Sequence, residues 1–436
     1  MLRILRISIL AVVLFFSVMA IVDETQAKVP RIDVLTVKGT VNPVLVDYIE
    51  RGITIAEDNR DVACIIELDT PGGLDTSMRD IVQSIVSARV PVVVYVSPSG
   101  ARAASAGVFI TMSAHVAAMA PNTAIGAASP VAIGPEGEQQ MSDTMHEKIL
   151  NDAASYIRSI AETHGRNVEW AEKAVREAVS ATEKEALDLN VIDLVAPDLN
   201  ALISQMDGRQ VTLLGGAEVT LSTRDTPVNR IPMNWVENFL YTISDPNIAY
   251  ILLSLAILGI MAEIFNPGLI FPGVVGGISL LLAFFSLGVL PVNLAGVLLI
   301  VLAVGLFIAE VFTPGFGLLA AGGITSLVIG SLILFKGGSP LFRVDPWLIA
   351  IVTILIGGFF IFVVYRVIWA HRRRATTGKE ELMGKTATVK SALEPEGMVF
   401  FKGENWTAIS EEGRIEPGEE VIITRVEGLK LWVRKK

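Results

Sequence analysis

The sequence predicts a multidomain chain: an α/β domain, an α-helical transmembrane domain and a small all-β barrel. Three observations carry this. Strand-like and helix-like runs alternate from about residue 29 to 202, as an α/β domain requires. The stretch 246–370 is a series of long apolar runs, and the residues after 379 change to short strands between glycine turns. Composition agrees, because 52% hydrophobic residues in 436 and a mean hydropathy of +0.56 exceed what a soluble enzyme carries and suit several membrane spans.

Residues 1–27 begin with Arg3 and Arg6, continue through an apolar run and end in Thr25-Gln26-Ala27, the pattern of a secretory signal peptide, with an uncleaved anchor as the alternative. The domain after residue 27 is expected to be exported. In 29–202, strands are expected at 32–38, 65–68 and 90–96, and helices at 43–58, 76–87 and 168–180. About 170 residues bury a sizeable core as one domain. The Gly/Pro-punctuated loop 130–140 is expected beside any site the domain carries. Residues 203–245 read as a linker whose amphipathic end, 231–241, places Trp235 and Tyr241 to suit a membrane interface.

The apolar runs 248–265, 269–290, 292–312, 316–335 and 347–369 are each close to the roughly 20 residues a bilayer core requires. Five spans put the two ends on opposite sides. The basic run His371-Arg372-Arg373-Arg374 assigns the C-terminal side to the cytoplasm and the α/β domain to the exterior. Within this block Ala262-Glu263-Ile264-Phe265-Asn266-Pro267-Gly268 returns 47 residues later as Ala309-Glu310-Val311-Phe312-Thr313-Pro314-Gly315, so each copy reads as a two-span hairpin with Glu263 and Glu310 as carboxylates beside the turn. Small residues at Gly276-Gly277 and Gly322-Gly323 permit close helix approach. The segment 379–436 offers five short strands, enough for a small barrel.

Chemistry is sought first at Ser105, in Ala103-Ala104-Ser105-Ala106-Gly107, a small-residue stretch opening an apolar helix. A serine hydroxyl attacks a carbonyl only when a base takes its proton and N–H donors hold the oxyanion. The run Ile65 to Gly73 reads as a buried strand entering a turn whose Gly72 and Gly73 leave backbone N–H groups open to a substrate. Lys148 begins a long helix. Taken alone, Ser105 reads as helix packing and Lys148 as a solvated helix residue. The four histidines are His115, His146, His164 and His371; His115 reads as structural and His146 as an alternative base. Cys64 lies in an apolar run and reads as core, and the chain has no Cys/His cluster for zinc. A net charge of −10 with a pI near 5.1 argues against nucleic acid as a partner.

The run Asp69-Thr70-Pro71-Gly72-Gly73, then Ser99 to Gly107, then Lys148-Ile149-Leu150-Asn151, resembles the long-form NfeD membrane proteases, and the likeness extends through the membrane block and C-terminal segment. The resemblance implies a ClpP/crotonase-like fold for 29–202 and an OB-like fold for 379–436. It implies Ser105 as nucleophile, Lys148 as general base, and the backbone N–H groups of Gly72, Gly73 and Ala106 as oxyanion donors, with no cofactor. It implies a homo-oligomer, a dimer or larger, that cleaves apolar peptide segments of membrane proteins and has a stomatin- or flotillin-type partner. The soluble ClpP pattern has a histidine about 25 residues past the serine, where this chain reads Gly126-Ala127-Ala128-Ser129-Pro130, so a histidine triad is not expected. A lysine base must be neutral, and lowering its pKa from about 10.4 to about 7 takes roughly 4–5 kcal/mol, so Lys148 is expected to be desolvated. Two other classes stay open: a scaffold organising membrane microdomains with its protease fold idle, and a crotonase-type acyl-CoA enzyme, which export separates from the CoA pool. In the barrel, frequent acidic residues and the lack of an evident aromatic platform favour protein contact over nucleic acid.

Overall fold

The computed structural model describes residues 30–130, 143–268, 270–290, 292–313, 317–335, 343–372 and 382–436. The expected signal segment 1–27, nearly all of the loop 130–140, and Arg373 and Arg374 lie outside these residues. The chain divides into two compact units, one holding the α/β domain and most of the membrane helices, the other the end of the last helix and the barrel.

The α/β domain is built on a six-stranded parallel sheet, β11-β1-β2-β3-β5-β8, formed by β1 (Ile32–Lys38), β2 (Ala63–Asp69), β3 (Val92–Val96), β5 (Val116–Met119), β8 (Leu194–Val195) and β11 (Val228–Arg230). Both faces are covered, which is why β3 is buried at every position and the strands read as apolar runs. Leu35, Ile66, Leu68 and Val94 point to the face that packs α1 (Pro43–Asn59) and α2 (Asp75–Ser87). Val34, Ile65, Val93 and Ala118 alternate to the other face, closed by α7 (Leu199–Met206) and the hairpin β9 (Gln210–Thr212) and β10 (Glu218–Thr220). Helix α1 starts where Asn42 accepts the Leu45 N–H at 3.1 Å with proline in the first turn, and ends at Arg60 in the left-handed region. A second small sheet joins β4 (Arg102–Ala104), β6 (Ala124–Gly126) and β7 (Ser180–Thr182). Between them lie α3 (Ala106–Ser113), α4 (Asp143–Thr163), α5 (Val168–Arg176) and α6 (Glu183–Asp188).

Residues 203–245, read from sequence as a linker, are structured. Strand β11 extends the main sheet along β1, and Arg230 pairs with Glu67 at 2.7 Å. Helix α8 (Trp235–Ile243) opens with a capping box between Asn234 and Glu237, and the Glu237 carboxylate receives Arg51 of α1 at 2.6 Å. Trp235 stays 80% exposed on it, an apolar side chain facing outward next to the membrane helices.

Among the described residues, four helices are long and apolar enough to cross a membrane: α9 (Pro246–Phe265), α10 (Ile270–Val289), α11 (Leu294–Phe312) and the 18-residue window Pro346–Val363 of α13 (Pro346–Arg372). The fifth expected span is α12 (Leu318–Leu334), 17 residues and so at the short end of the spanning range of roughly 17–25. The two copies of the internal repeat pack their glycines differently. Gly276 backs onto the backbone of Gly259 and Ile260 between α9 and α10, whereas its counterpart Gly323 meets the Phe307 ring, and the backbone approach between α11 and α12 is made by Gly330 on Gly296. In each copy the glutamate caps its own turn: Glu263 accepts the Gly268 N–H at 3.3 Å and Glu310 the Gly317 N–H at 2.7 Å. A carboxylate there satisfies turn amides that lipid cannot.

The barrel closes in the order β12-β13-β14-β16-β15, from β12 (Thr386–Ser391), β13 (Glu396–Phe401), β14 (Glu404–Ser410), β15 (Glu420–Glu427) and β16 (Lys430–Lys435). Val389, Val399, Val421, Leu431 and Val433 fill it. The alternation turns Met398 and Phe400 outward, with the Lys390 ammonium 5.1 Å from the Phe400 ring.

Candidate active site

Ser105 stands between β4 and α3 at φ 52° and ψ −113°, a left-handed φ that non-glycine residues rarely adopt. Such a backbone costs on the order of 1–3 kcal/mol and persists only where its surroundings impose it. Here they do. Thr70 N–H donates to Arg102 O at 2.8 Å, Ala104 N–H to Thr70 O at 3.1 Å, and Ser105 N–H to Gly126 O at 3.1 Å, so the residue is gripped from the end of β2 and from β6. The sharp strand-to-helix turn presents its side chain at the head of α3, whose eight residues are all buried. Helix N-terminal amides and the helix dipole both favour negative charge developing there.

Opposite lies the Gly72-Gly73 turn. Gly72 sits at φ 115°, and a Cβ added to it would fall 2.7 Å from the Ser105 Cβ. Gly73 packs on the Val41 backbone, where a Cβ would meet Val41 O at 2.1 Å. Val41 N–H donates to Gly72 O and Leu74 N–H to Val41 O, both at 2.9 Å. Of the three amides read as oxyanion donors, that of Gly72 already donates to Thr70 Oγ1 at 3.0 Å. Gly73 and Ala106, by contrast, line a cavity of about 280 Å³ together with Ser105, Leu74, Phe109 and Ala153. Its lining is mixed, with Met78 and Pro130 beside Asp75 and Thr76.

The structure brings Ser105, Gly73 and Ala106 to one cavity and leaves Lys148 off its lining. Lys148 is exposed near the start of α4, and the buried stripe of that helix instead runs through Ala153, Ala154, Ile157 and Ile160. Among the described residues, none gives Lys148 the burial expected of a neutral lysine. His146 is also exposed. His115 and His164 meet edge to face with ring centroids 6.0 Å apart, outside the lining of the Ser105 cavity, and Val92 N–H donates to His115 Nδ1 at 3.1 Å. Burial, with the Arg166 charge beside them, pushes both imidazoles down to about 4. Arg166 is itself buried and pairs with Asp193 at 2.9 Å, and its Nη1 donates to Met112 O at the end of α3. These histidines are structural. Cys64 is fully buried, which pushes its thiol up and leaves it inert.

Sequence reasoning missed three residues that shape the site: Thr70, whose hydroxyl holds Gly72; Val41, which pins Gly73; and Gly126, which accepts from Ser105. Only Thr70 had a signal, a hydroxyl two residues before a glycine turn.

Family models match three stretches: the NfeD1b N-terminal domain over residues 31–202, the NfeD integral membrane domain over 247–366, and the NfeD-like C-terminal, partner-binding domain over 379–435. A protein named membrane-bound protease PH1510, from Pyrococcus horikoshii, is 39% identical over 438 residues, covering 98% of this chain and 97% of that one. Membrane protein NfeD1b of Bacillus subtilis is 27% identical over 455 residues, covering 97% of each. A solved structure of a lysine-to-alanine variant of the 1510-N membrane-bound stomatin-specific protease, in complex with a substrate peptide, is 36% identical, with a TM-score of 0.45. It covers 49% of this chain and 97% of that one.

Proposed function

The chain belongs to the NfeD family and is a membrane protease within it, and on that footing we propose that Ser105 and Lys148 form the catalytic dyad of a serine endopeptidase that cleaves apolar segments of stomatin-type membrane proteins. The observation that carries this reading is the strained Ser105 backbone on the lining of a cavity shared with Gly73 and Ala106. Ser105 Oγ attacks the peptide carbonyl while Lys148 takes its proton and passes it to the leaving amine; water then releases the acyl group by the same route. The amides of Gly73 and Ala106 hold the oxyanion. Gly72 serves as the close wall behind Ser105, its own N–H being engaged by Thr70. Lys148, exposed in the single chain, is covered by a second copy of the chain or by the bound segment, which fits an assembly of two or more copies. The α/β domain lies outside the cell and the C-terminal domain in the cytoplasm, a reading supported by the basic run 371–374 that follows the last apolar span. The C-terminal barrel engages the stomatin-type partner.

The exposure of Lys148 favours a second reading, a scaffold whose protease fold is idle. Full-length chain in lipid nanodiscs, given peptides spanning the apolar segments of a stomatin-type protein, separates the two. Cleavage lost in both Ser105→Ala and Lys148→Ala supports the dyad. Binding of the partner without cleavage by the wild type supports the scaffold.

A further inference from the structure

The α/β domain is tied to the segment leading into its first membrane helix at the carboxyl end of the parallel strands, the end where the glycine turn of the candidate active site follows β2. Helix α8 runs through Ser244 and Asp245 straight into α9, and Ser286 of α10 donates its hydroxyl to Ile243 O at 2.6 Å, seating the end of α8 on the membrane block. From that seat Tyr241 reaches back and donates its hydroxyl to Lys38 O, the last residue of β1, at 2.8 Å. The next residue, Gly39, is at φ 106°, and a Cβ there would lie 2.3 Å from the Tyr241 hydroxyl oxygen. The phenol is therefore packed against bare backbone.

The segment it touches is a short strap to the oxyanion turn. Gly39 N–H donates to Asp69 O at the end of β2, and two residues later Val41 exchanges its N–H and C=O with Gly72 O and Leu74 N–H, each bond 2.9 Å. Asn42 then caps α1. Residues 38–42 are thus tied at one end to Tyr241 and at the other to the turn whose Gly73 lines the Ser105 cavity. An oxyanion donor works only within about 2.7–3.1 Å of where the charge develops, so small freedom in this strap is felt in the transition state more than in ground-state binding.

We infer that Tyr241 is a positioning residue for acylation, transmitting the seat of the first membrane helix through residues 38–42 to the Gly73 amide. The inference rests on Ser105 being the nucleophile. Removing the hydroxyl frees Lys38 O and loosens the strap without touching the cavity.

The test uses full-length chain in lipid nanodiscs and compares wild type, Tyr241→Phe and Trp235→Phe, the last an exposed residue of the same helix. Peptide turnover and amide hydrogen exchange at Val41 and Leu74 are both read. Loss of the Tyr241–Lys38 hydrogen bond predicts that Tyr241→Phe lowers kcat by roughly tenfold with KM within about twofold, and speeds exchange at Val41 and Leu74 by a similar factor. Trp235→Phe should change neither. Unchanged exchange and kcat, or a rise in KM alone, would overturn the proposal. Should Ser105→Ala retain wild-type turnover, the dyad reading fails instead, and exchange at Val41 and Leu74 still decides whether Tyr241 holds the strap.

Discussion

Gly72 and Ser105 approach so closely that a methyl group on the glycine would stand 2.7 Å from the serine Cβ and 3.1 Å from its Oγ. The contact is made possible by two unusual backbones, Gly72 at φ 115° and Ser105 at φ 52°. Gly72→Ala meets both a disfavoured φ and a clash, so it should cost about 2–4 kcal/mol of stability and slow Ser105 acylation by roughly 100-fold or more. Thermal unfolding together with fluorophosphonate labelling rates checks this; near-wild-type labelling would mean that the turn does not form the wall of the site.

The His115–His164 pair predicts acid sensitivity. Both imidazoles are held down to about 4 by burial, against about 6.5 when unfolded. The unfolded chain binds more protons between those values, so the stabilising contribution is present above about pH 6.5 and is lost as pH falls through about 4. In His164→Gln, the fall in melting temperature from pH 6.5 to pH 4.5 should be smaller than in wild type. An equal fall in both would remove this pair as its source.

Asp33 predicts the opposite sign. It is fully buried beside Asp61, and desolvation first, then the hydrogen bond its protonated carboxyl donates to the Asp61 carboxylate, raises it to about 6. The folded chain therefore holds a proton that the unfolded chain releases near pH 4, and stability from this group fades as pH rises through about 6. Asp33→Asn keeps the neutral shape and its contact with Asn229. Its melting temperature should gain on wild type as pH goes from 5 to 7.5; a constant difference between the two chains would contradict this.

In the membrane block, neighbouring glycines make a matched pair for a test. A Cβ on Gly276 would lie 2.8 Å from the Ile260 backbone, whereas one on Gly277 would meet nothing within 4 Å. Gly276→Val should separate α9 from α10 at about 2–3 kcal/mol, seen as a lower melting temperature in detergent, while Gly277→Val stays near wild type. Equal effects would mean that these helices pack on another face.

The strands at 32–38 and 92–96 and helices α1 and α2 were legible because the sheet is covered on both faces, so burial and propensity agree there. Ser105 and the glycine turn were legible as residue types but not as geometry: no local pattern announces that Ser105 takes φ 52° or that Thr70 uses up the Gly72 amide. The exposure of Lys148 was not legible either, since it sits on a helix whose inward face is set by Ala153, Ala154 and Ile157 rather than by the lysine. Strand β11 escaped because three residues give no periodicity; its place depends on pairing with β1, nearly two hundred residues earlier. The helix read over 168–180 ends at Arg176, and β7 takes up Ser180. Phe400 was read within a strand, but its outward direction follows from the barrel register alone.

Whether Ser105 is the nucleophile and Lys148 its base is decided by fluorophosphonate labelling of full-length chain in lipid nanodiscs, with the adduct mapped by peptide mass spectrometry in wild type, Ser105→Ala and Lys148→Ala. A working dyad gives one adduct on Ser105 in wild type, none in Ser105→Ala, and labelling slowed by roughly 100-fold or more in Lys148→Ala. An adduct on another serine, or wild-type labelling in Lys148→Ala, would contradict it.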